Sequence, residues 1–334
     1  RISLLLRRLM PPLRIRGLVL LLKGRNMRHT PNISLRIIGA SLLYAASFLA
    51  FCHSATAQAG YDSITYNRGT FFGNSTNDSY LLHMAIDNQG NVYGTGLCSS
   101  IPTTPGAYRT TNQGGTYDIM VFKMDPTMKT LIWSTYIGGS NIEGGGGIAV
   151  NSAGEVFVSG YTTSSNFPVT VAGDATYLSN GVVNYFALKL SADGSTLLYS
   201  RILGRGSLIT QQTAAASKGA HIAINPAGEA FVFSHTNATP YQISSNAYQT
   251  TNNGSSDFVL TKLSTSGSIL YSTYFGGAGA ETSYDICYAN GKVYCTGTTA
   301  SSDIALRSGK VPDASGDCCV FVADDGSTCA PRRC

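Results

Sequence analysis

Charge of either sign is scarce in this chain, at 12% of 334 residues, and no Asp or Glu precedes residue 60. Nine of the 23 Lys and Arg fall in that same stretch, so the formal net charge of +5 belongs to the N-terminus; from Gly60 onward 14 basic residues face 18 acidic ones. Binding a phosphate backbone takes several Lys or Arg acting together on one face. No such cluster occurs, which argues against nucleic acid as a partner. Helical periodicity is missing after residue 60. No CxxC is present, which removes the usual basis for a zinc site. There is also no GxSxG, HExxH or P-loop pattern to nominate a catalytic centre.

Long apolar runs are confined to the N-terminus. Met27 opens a stretch with the marks of an export signal: Arg28 and Arg36 give positive charge, Ile37 to Cys52 is apolar, and "ATAQA" offers small-residue cleavage after Ala57 or Ala59. The run is short for a membrane span, so contact with a membrane is expected only through this signal. The expected location is secreted or cell-surface. Residues 1–26 read as an extended or non-native N-terminal segment, 27–59 as the signal peptide, 60–328 as the working region and 329–334 as a short tail. Seven cysteines follow the signal: Cys98, Cys287, Cys295, Cys318, Cys319, Cys329 and Cys334. An odd number in a large domain does not read as a disulfide framework. A bridge between Cys287 and Cys295 across the turn "YANGKV" and a pair of buried thiols are both open readings.

What the chain does have is glycine, 37 residues of it, with abundant Ser, Thr and Asn, a composition for strands joined by many polar turns. It also repeats itself. "GTFFGNSTND" (Gly69 to Asp78), "STYIGGSNIE" (Ser134 to Glu143), "SRILGRGS" (Ser200 to Ser207) and "STYFGGAGAE" (Ser272 to Glu281) open four passages. With Phe71, Tyr136, Ile202 and Tyr274 equivalent, the steps are 65, 66 and 72 residues. Each opening leads to a hairpin pattern ("MAIDNQGNVYGTG", "IAVNSAGEVFVSG", "IAINPAGEAFVFS", "ICYANGKVYCTG") and, after a long polar stretch, to a second strand–turn–strand. Gly90, Gly154, Gly228 and Gly291 sit where the first turn needs positive φ. Four short strands per unit is the pattern of one propeller blade, a sheet whose two faces must be covered by its neighbours. The expected fold is therefore an all-β propeller of four-stranded antiparallel blades, with units at about 64–132, 133–198, 199–270 and 271–328.

The phrases "STYIGG", "GIAVNSAGEVFVSGYT", "PTTPGAYRTT" and "DFVLTKL" resemble the SBBP-type β-propeller repeat of secreted and surface bacterial proteins, over about residues 64 to 327. The family's name implies seven blades, whereas four units stand here, the third of them degenerate. Two readings follow. Either Ile64 to Gly73 pairs beside Asp317 to Ala323 and closes a four-bladed ring, protecting both edges, or the chain is a fragment of a larger propeller.

Four long connections, Leu97 to Tyr117, Tyr161 to Val183, His235 to Ser256 and Thr298 to Gly316, belong on one rim, which is the candidate binding surface. Its candidate contacts are Tyr108, Tyr161, Tyr177, Tyr241 and Tyr248, with packing anchors as the alternative role for such repeated tyrosines. Asp78, Glu143 and Glu281 recur eight residues after each unit's Thr and could ring the rim. Such a ring could hold Ca²⁺, but one carboxylate per unit falls short of the six to eight oxygens it takes, so solvated acids are the first reading, with no cofactor expected and Ca²⁺ the alternative. His83 and His221 share a position, with Gly147 in the second unit and Tyr284 nearby in the fourth; at the head of innermost strands they would face the channel. Asp118, Asn184, Asp257 and Asp317 read as turn-capping residues, and Trp133 as packing. The expected function is a surface binding module for a protein or glycan. A structural spacer or assembly module, and a polysaccharide hydrolase or lyase, are the alternatives.

Overall fold

Runs of β-branched and aromatic residues broken by turn glycines become strands throughout. The computed structural model describes residues 69–73, 79–207, 219–304 and 317–324, all within one compact unit, Gly69–Cys334. The first sheet is β1 (Ser79–Ile86), β2 (Val92–Cys98), β3 (Asp118–Met124) and β4 (Leu131–Ile137), hydrogen-bonded in that order. The second is β5 (Glu143–Val150), β6 (Val156–Thr162), β7 (Asn184–Leu190) and β8 (Leu197–Arg205). The third is β9 (His221–Ile224), β10 (Ala230–Thr236), β11 (Asp257–Leu263) and β12 (Ile269–Phe275). The fourth has three described strands, β13 (Glu281–Ala289), β14 (Lys292–Thr299) and β15 (Asp317–Asp324). Every pairing within these sheets is antiparallel. No helix among the described residues is long and apolar enough to cross a membrane.

The turns behave as their sequences require. Gly90, Gly154, Gly228 and Gly291 all have φ between +73° and +81°. Each fourth strand carries the phrase that opens the next repeat, so Ser134–Ile137 completes the first sheet rather than starting the second. Ile64–Arg68 lie outside the described residues; Gly69–Gly73 form no strand, so the expected ladder with β15 is not made over that part.

Successive sheets bury each other through one face apiece. Tyr93, Ile119, Val121 and Trp133 of the first sheet meet Ile148, Val158, Phe186 and Leu188 of the second. Phe157, Tyr185 and Tyr199 of the second meet Ile222, Val232 and Val259 of the third. Phe231, Phe233 and Phe258 of the third meet Ile286, Val293 and Cys295 of the fourth. The first strands β1, β5, β9 and β13 lie next to one another in sequence order. Contact is closest where side chains are missing: a Cβ on Gly194 would stand 2.5 Å from the Trp133 ring, and one on Gly267 2.8 Å from Tyr199. Trp133 is thus the packing residue expected, its Nε1 donating to the Ala192 carbonyl at 2.9 Å. In the fourth sheet Cys287 pairs with Tyr294 and Cys295 with Ile286, so the two cysteines point to opposite faces and no bridge joins them.

Candidate functional site

Strand register decides which residues meet on the inner side. β1, β5 and β13 each carry a bulge, at Leu82, Gly146 and Tyr284. The residue after it pairs with the middle of the second strand: His83 with Thr95, Gly147 with Ser159 and Asp285 with Thr296, while unbulged β9 pairs His221 with Phe233. The four equivalent positions are therefore His83, Gly147, His221 and Asp285. Tyr284, the channel-facing candidate, is the bulge residue and is 51% exposed. Five residues separate the paired Ile86 and Val92 but only four the equivalent Tyr288 and Val293, so the shorter turn, and not the bulge, puts Asp285 in the place of His83.

His83 and His221, from the first and third sheets, meet ring to ring with centroids 5.7 Å apart and planes 76° apart. Gly147 permits this, since a Cβ there would stand 2.8 Å from the Ile222 nitrogen and 3.2 Å from the His221 Cα. His221 is 2% exposed and neither of its ring nitrogens has a hydrogen-bond partner among the described residues, nor has His83 Nε2. Burial pushes the His221 imidazole down to about 3, with the charges of His83 and His235 adding to the push. Burial lowers His83 as well. His235, which the sequence did not single out, accepts from the Ser283 N–H at 3.1 Å.

A second constellation sits at two of the sheet junctions. Glu143 and Glu281 are fully buried, not the solvated rim acids expected. Glu143 Oε1 accepts from the Thr162 and Ser164 hydroxyls at 2.6 Å each, and Oε2 from the Gly139 N–H at 2.9 Å. Glu281 repeats this with Thr299 and Ser301, both at 2.6 Å. Facing them are Asp118 and Asp257, also fully buried. As expected of capping residues they accept backbone N–H groups, Asp118 from Gln113 at 2.6 Å and Asp257 from Asn253 at 2.9 Å. The equivalent Asn184 instead donates to the Val182 carbonyl at 3.1 Å. What spacing did not show is that each Asp meets the next sheet's Glu, carboxyl to carboxyl. A Cβ on Gly138 would touch both Asp118 and Glu143, and one on Gly276 both Asp257 and Glu281. Burial, then the neighbouring Glu143 charge, push the Asp118 carboxyl up to about 7 against the opposing Gln113 N–H and Arg109. Burial raises Asp257 too. Asp78, the third expected member, lies outside the described residues, as do Cys329, Cys334 and the side chains of Asp317, Cys318 and Cys319.

The long connections do not stand free. The first three double back along the outer edges of their own sheets; most of the fourth lies outside the described residues. Arg109 N–H donates to Thr135 Oγ1 at 2.8 Å and its carbonyl accepts from Tyr136 N–H at 3.1 Å. Thr170 N–H donates to the Ser200 carbonyl at 2.9 Å, and Ser244 N–H to that of Ser272 at 3.0 Å. The candidate tyrosines divide accordingly. Tyr108 and Tyr177 pack on the first core cluster, Tyr161 and Tyr241 on the second. Tyr241 is fixed further by its hydroxyl, 3.1 Å from Ser234 Oγ. Tyr248 alone of the five is exposed, its ring 6.2 Å from that of Phe275. No group of three or more His, Cys, Asp or Glu among the described residues is placed to hold a metal ion.

Repeated antiparallel sheets, each burying one face on the next, define a protein built of blade-like units. Residues 132–168, spanning β4 to β6, match the model of the SBBP family, described as a beta-propeller repeat; the chain carries an SBBP repeat there. No curated protein matches the chain. Among solved structures it is similar to a protein of unknown function from Dyadobacter fermentans DSM 18053, at 14% identity and a TM-score of 0.38, over 76% of this chain and 68% of that one. It is also similar to the Synechocystis apocarotenoid oxygenase, at 9% identity and a TM-score of 0.31, over 73% and 56% of the two chains. A member of the duf4221 family from Bacteroides vulgatus follows at 11% identity and 0.31, over 72% and 63%. Likenesses at this level carry no functional information.

Proposed function

We propose that the four sheets belong to one closed four-bladed propeller, exported from the cytoplasm, that serves as a structural or assembly module of a surface protein. The observation that carries the functional part is the use made of the long connections. The first three cap the outer strands of their sheets, where an uncapped edge invites pairing with another chain, and four of the five candidate aromatics are packed. Replacing Ser99–Tyr117 by a short turn tests it: the account expects a marked loss of stability and self-association of the shortened protein. An unchanged melting temperature with loss of binding to a demonstrated ligand would instead establish a binding rim.

The face that a closed ring would have to cover is open in this structure at one register position. Ile148, Ile222 and Ile286 are 8%, 7% and 6% exposed, each covered by the preceding sheet, whereas the equivalent Met84 of the first sheet is 63% exposed. Phe72, equivalent to Ile137 of β4 by the repeat spacing, lies on this face, with its ring 4.1 Å from that of Phe122. That is where an outer strand of a fourth sheet would pack.

A binding role for a protein or glycan keeps one specific support, the exposed Tyr248 beside Phe275. Loss of glycan or peptide capture on Tyr248→Ala would establish it. The paired carboxylates do not favour polysaccharide hydrolysis. Glycoside chemistry needs room for a sugar and a water between the acids, and Asp118, Glu143, Asp257 and Glu281 are all sealed from solvent.

A further inference from the structure

We propose that the His83–His221 pair is a binding site for a late first-row transition-metal cation, held by one nitrogen from each imidazole. This goes beyond the structural role argued above and does not depend on it.

Buried polar atoms in folded proteins are almost always hydrogen-bonded. His235 obeys that rule through Ser283, and Glu143 and Glu281 obey it through neighbouring hydroxyls. His221 breaks it at both nitrogens while 2% exposed, and its neighbour His83 breaks it at Nε2. A buried ring with no hydrogen-bond partner suits an electron-pair acceptor, and imidazole nitrogen is a ligand that Zn, Cu and Ni take.

The distance agrees. A metal sits about 2.0–2.1 Å from each imidazole nitrogen, so two rings sharing one ion have centroids roughly 5–6 Å apart. The observed separation is 5.7 Å, and the 76° between planes is not that of stacked rings. Exposure is asymmetric: His221 is enclosed, while the His83 side chain is only half-buried. The remaining coordination positions fall to water or backbone oxygen, because no third His, Cys, Asp or Glu among the described residues joins the pair. An open coordination sphere of this kind exchanges metal more readily than a closed structural site.

The test uses the full chain stripped with chelator, then loaded with Zn²⁺ or Cu²⁺ and dialysed. The expected result is about one ion per chain, a raised melting temperature reversed by chelator, and, with Cu²⁺, an electron paramagnetic resonance spectrum showing two coordinated nitrogens. His83→Ala, at the half-buried position, should abolish uptake while leaving the circular dichroism of the metal-free protein unchanged. The double change His29→Ala and His53→Ala should leave uptake intact. Retained stoichiometry in His83→Ala, loss in the N-terminal double variant, or no uptake by the wild-type chain would each overturn the proposal. Should His83→Ala fail to fold, the nitrogen count on the wild-type Cu²⁺ spectrum decides alone, with fewer than two imidazoles contradicting the site.

Discussion

At Met128 the repeat departs from its own pattern. The turn between third and fourth strands holds Gly194 and Gly267 at φ of +70° and +85°, and Met128 takes the same place at φ 54°. A side chain in the left-handed region costs about 1–2 kcal/mol, so Met128→Gly should stabilise the protein by about 0.5–1 kcal/mol in chemical denaturation. Gly194→Ala should do the reverse by more than about 2 kcal/mol, since the new methyl meets both a disfavoured φ and the Trp133 ring. Asp118 gives a pH signature. Its folded-state pKa is raised from 3.8 to about 7, so the folded protein holds a proton that the unfolded chain has released over that window. The stability it contributes is complete below pH 4 and is lost as pH rises towards 7. Asp118→Asn mimics the protonated acid, and the melting temperature of the variant relative to wild type should climb between pH 4 and 8; a constant difference would show that Asp118 is ionised throughout.

Elements were more legible than their contacts. The hairpins, their turn glycines and the long connections follow from spacing that a reader can count, because a turn needing positive φ announces itself by Gly. The bulges at Leu82, Gly146 and Tyr284 do not announce themselves, and the fourth sheet's first turn, one residue shorter than the first sheet's, brings Asp285 rather than Tyr284 into line with His83 and His221. The Asp118–Glu143 and Asp257–Glu281 pairs were hidden for a different reason: each joins residues of adjacent sheets, so neither local spacing nor the repeat reveals the contact. The signal was nonetheless present, in that Asp and Glu recur together around "STYIGG" and "STYFGG" while the degenerate third unit opens beside Asn184. Edge protection by the connections belongs to this scale too. Thr135→Val removes the acceptor for the Arg109 N–H, and hydrogen exchange across β4 should accelerate relative to β3, which keeps both ladder partners.

For the whole molecule, each sheet is half a partnership: one face covers the next sheet and the other is covered by the one before. The first sheet offers Leu81, Met84 and Ile86 on the face that its successors bury. A closed ring places the fourth sheet there, with Phe72 already on the same face. Oxidation of Met84 by dilute peroxide, followed by mass spectrometry on dilute monomeric protein, reads this seam most directly. The account predicts that Met84 is protected nearly as well as the fully buried Met120 in the folded chain. Oxidation of Met84 at the rate of an exposed methionine, with the fold intact, would contradict closure.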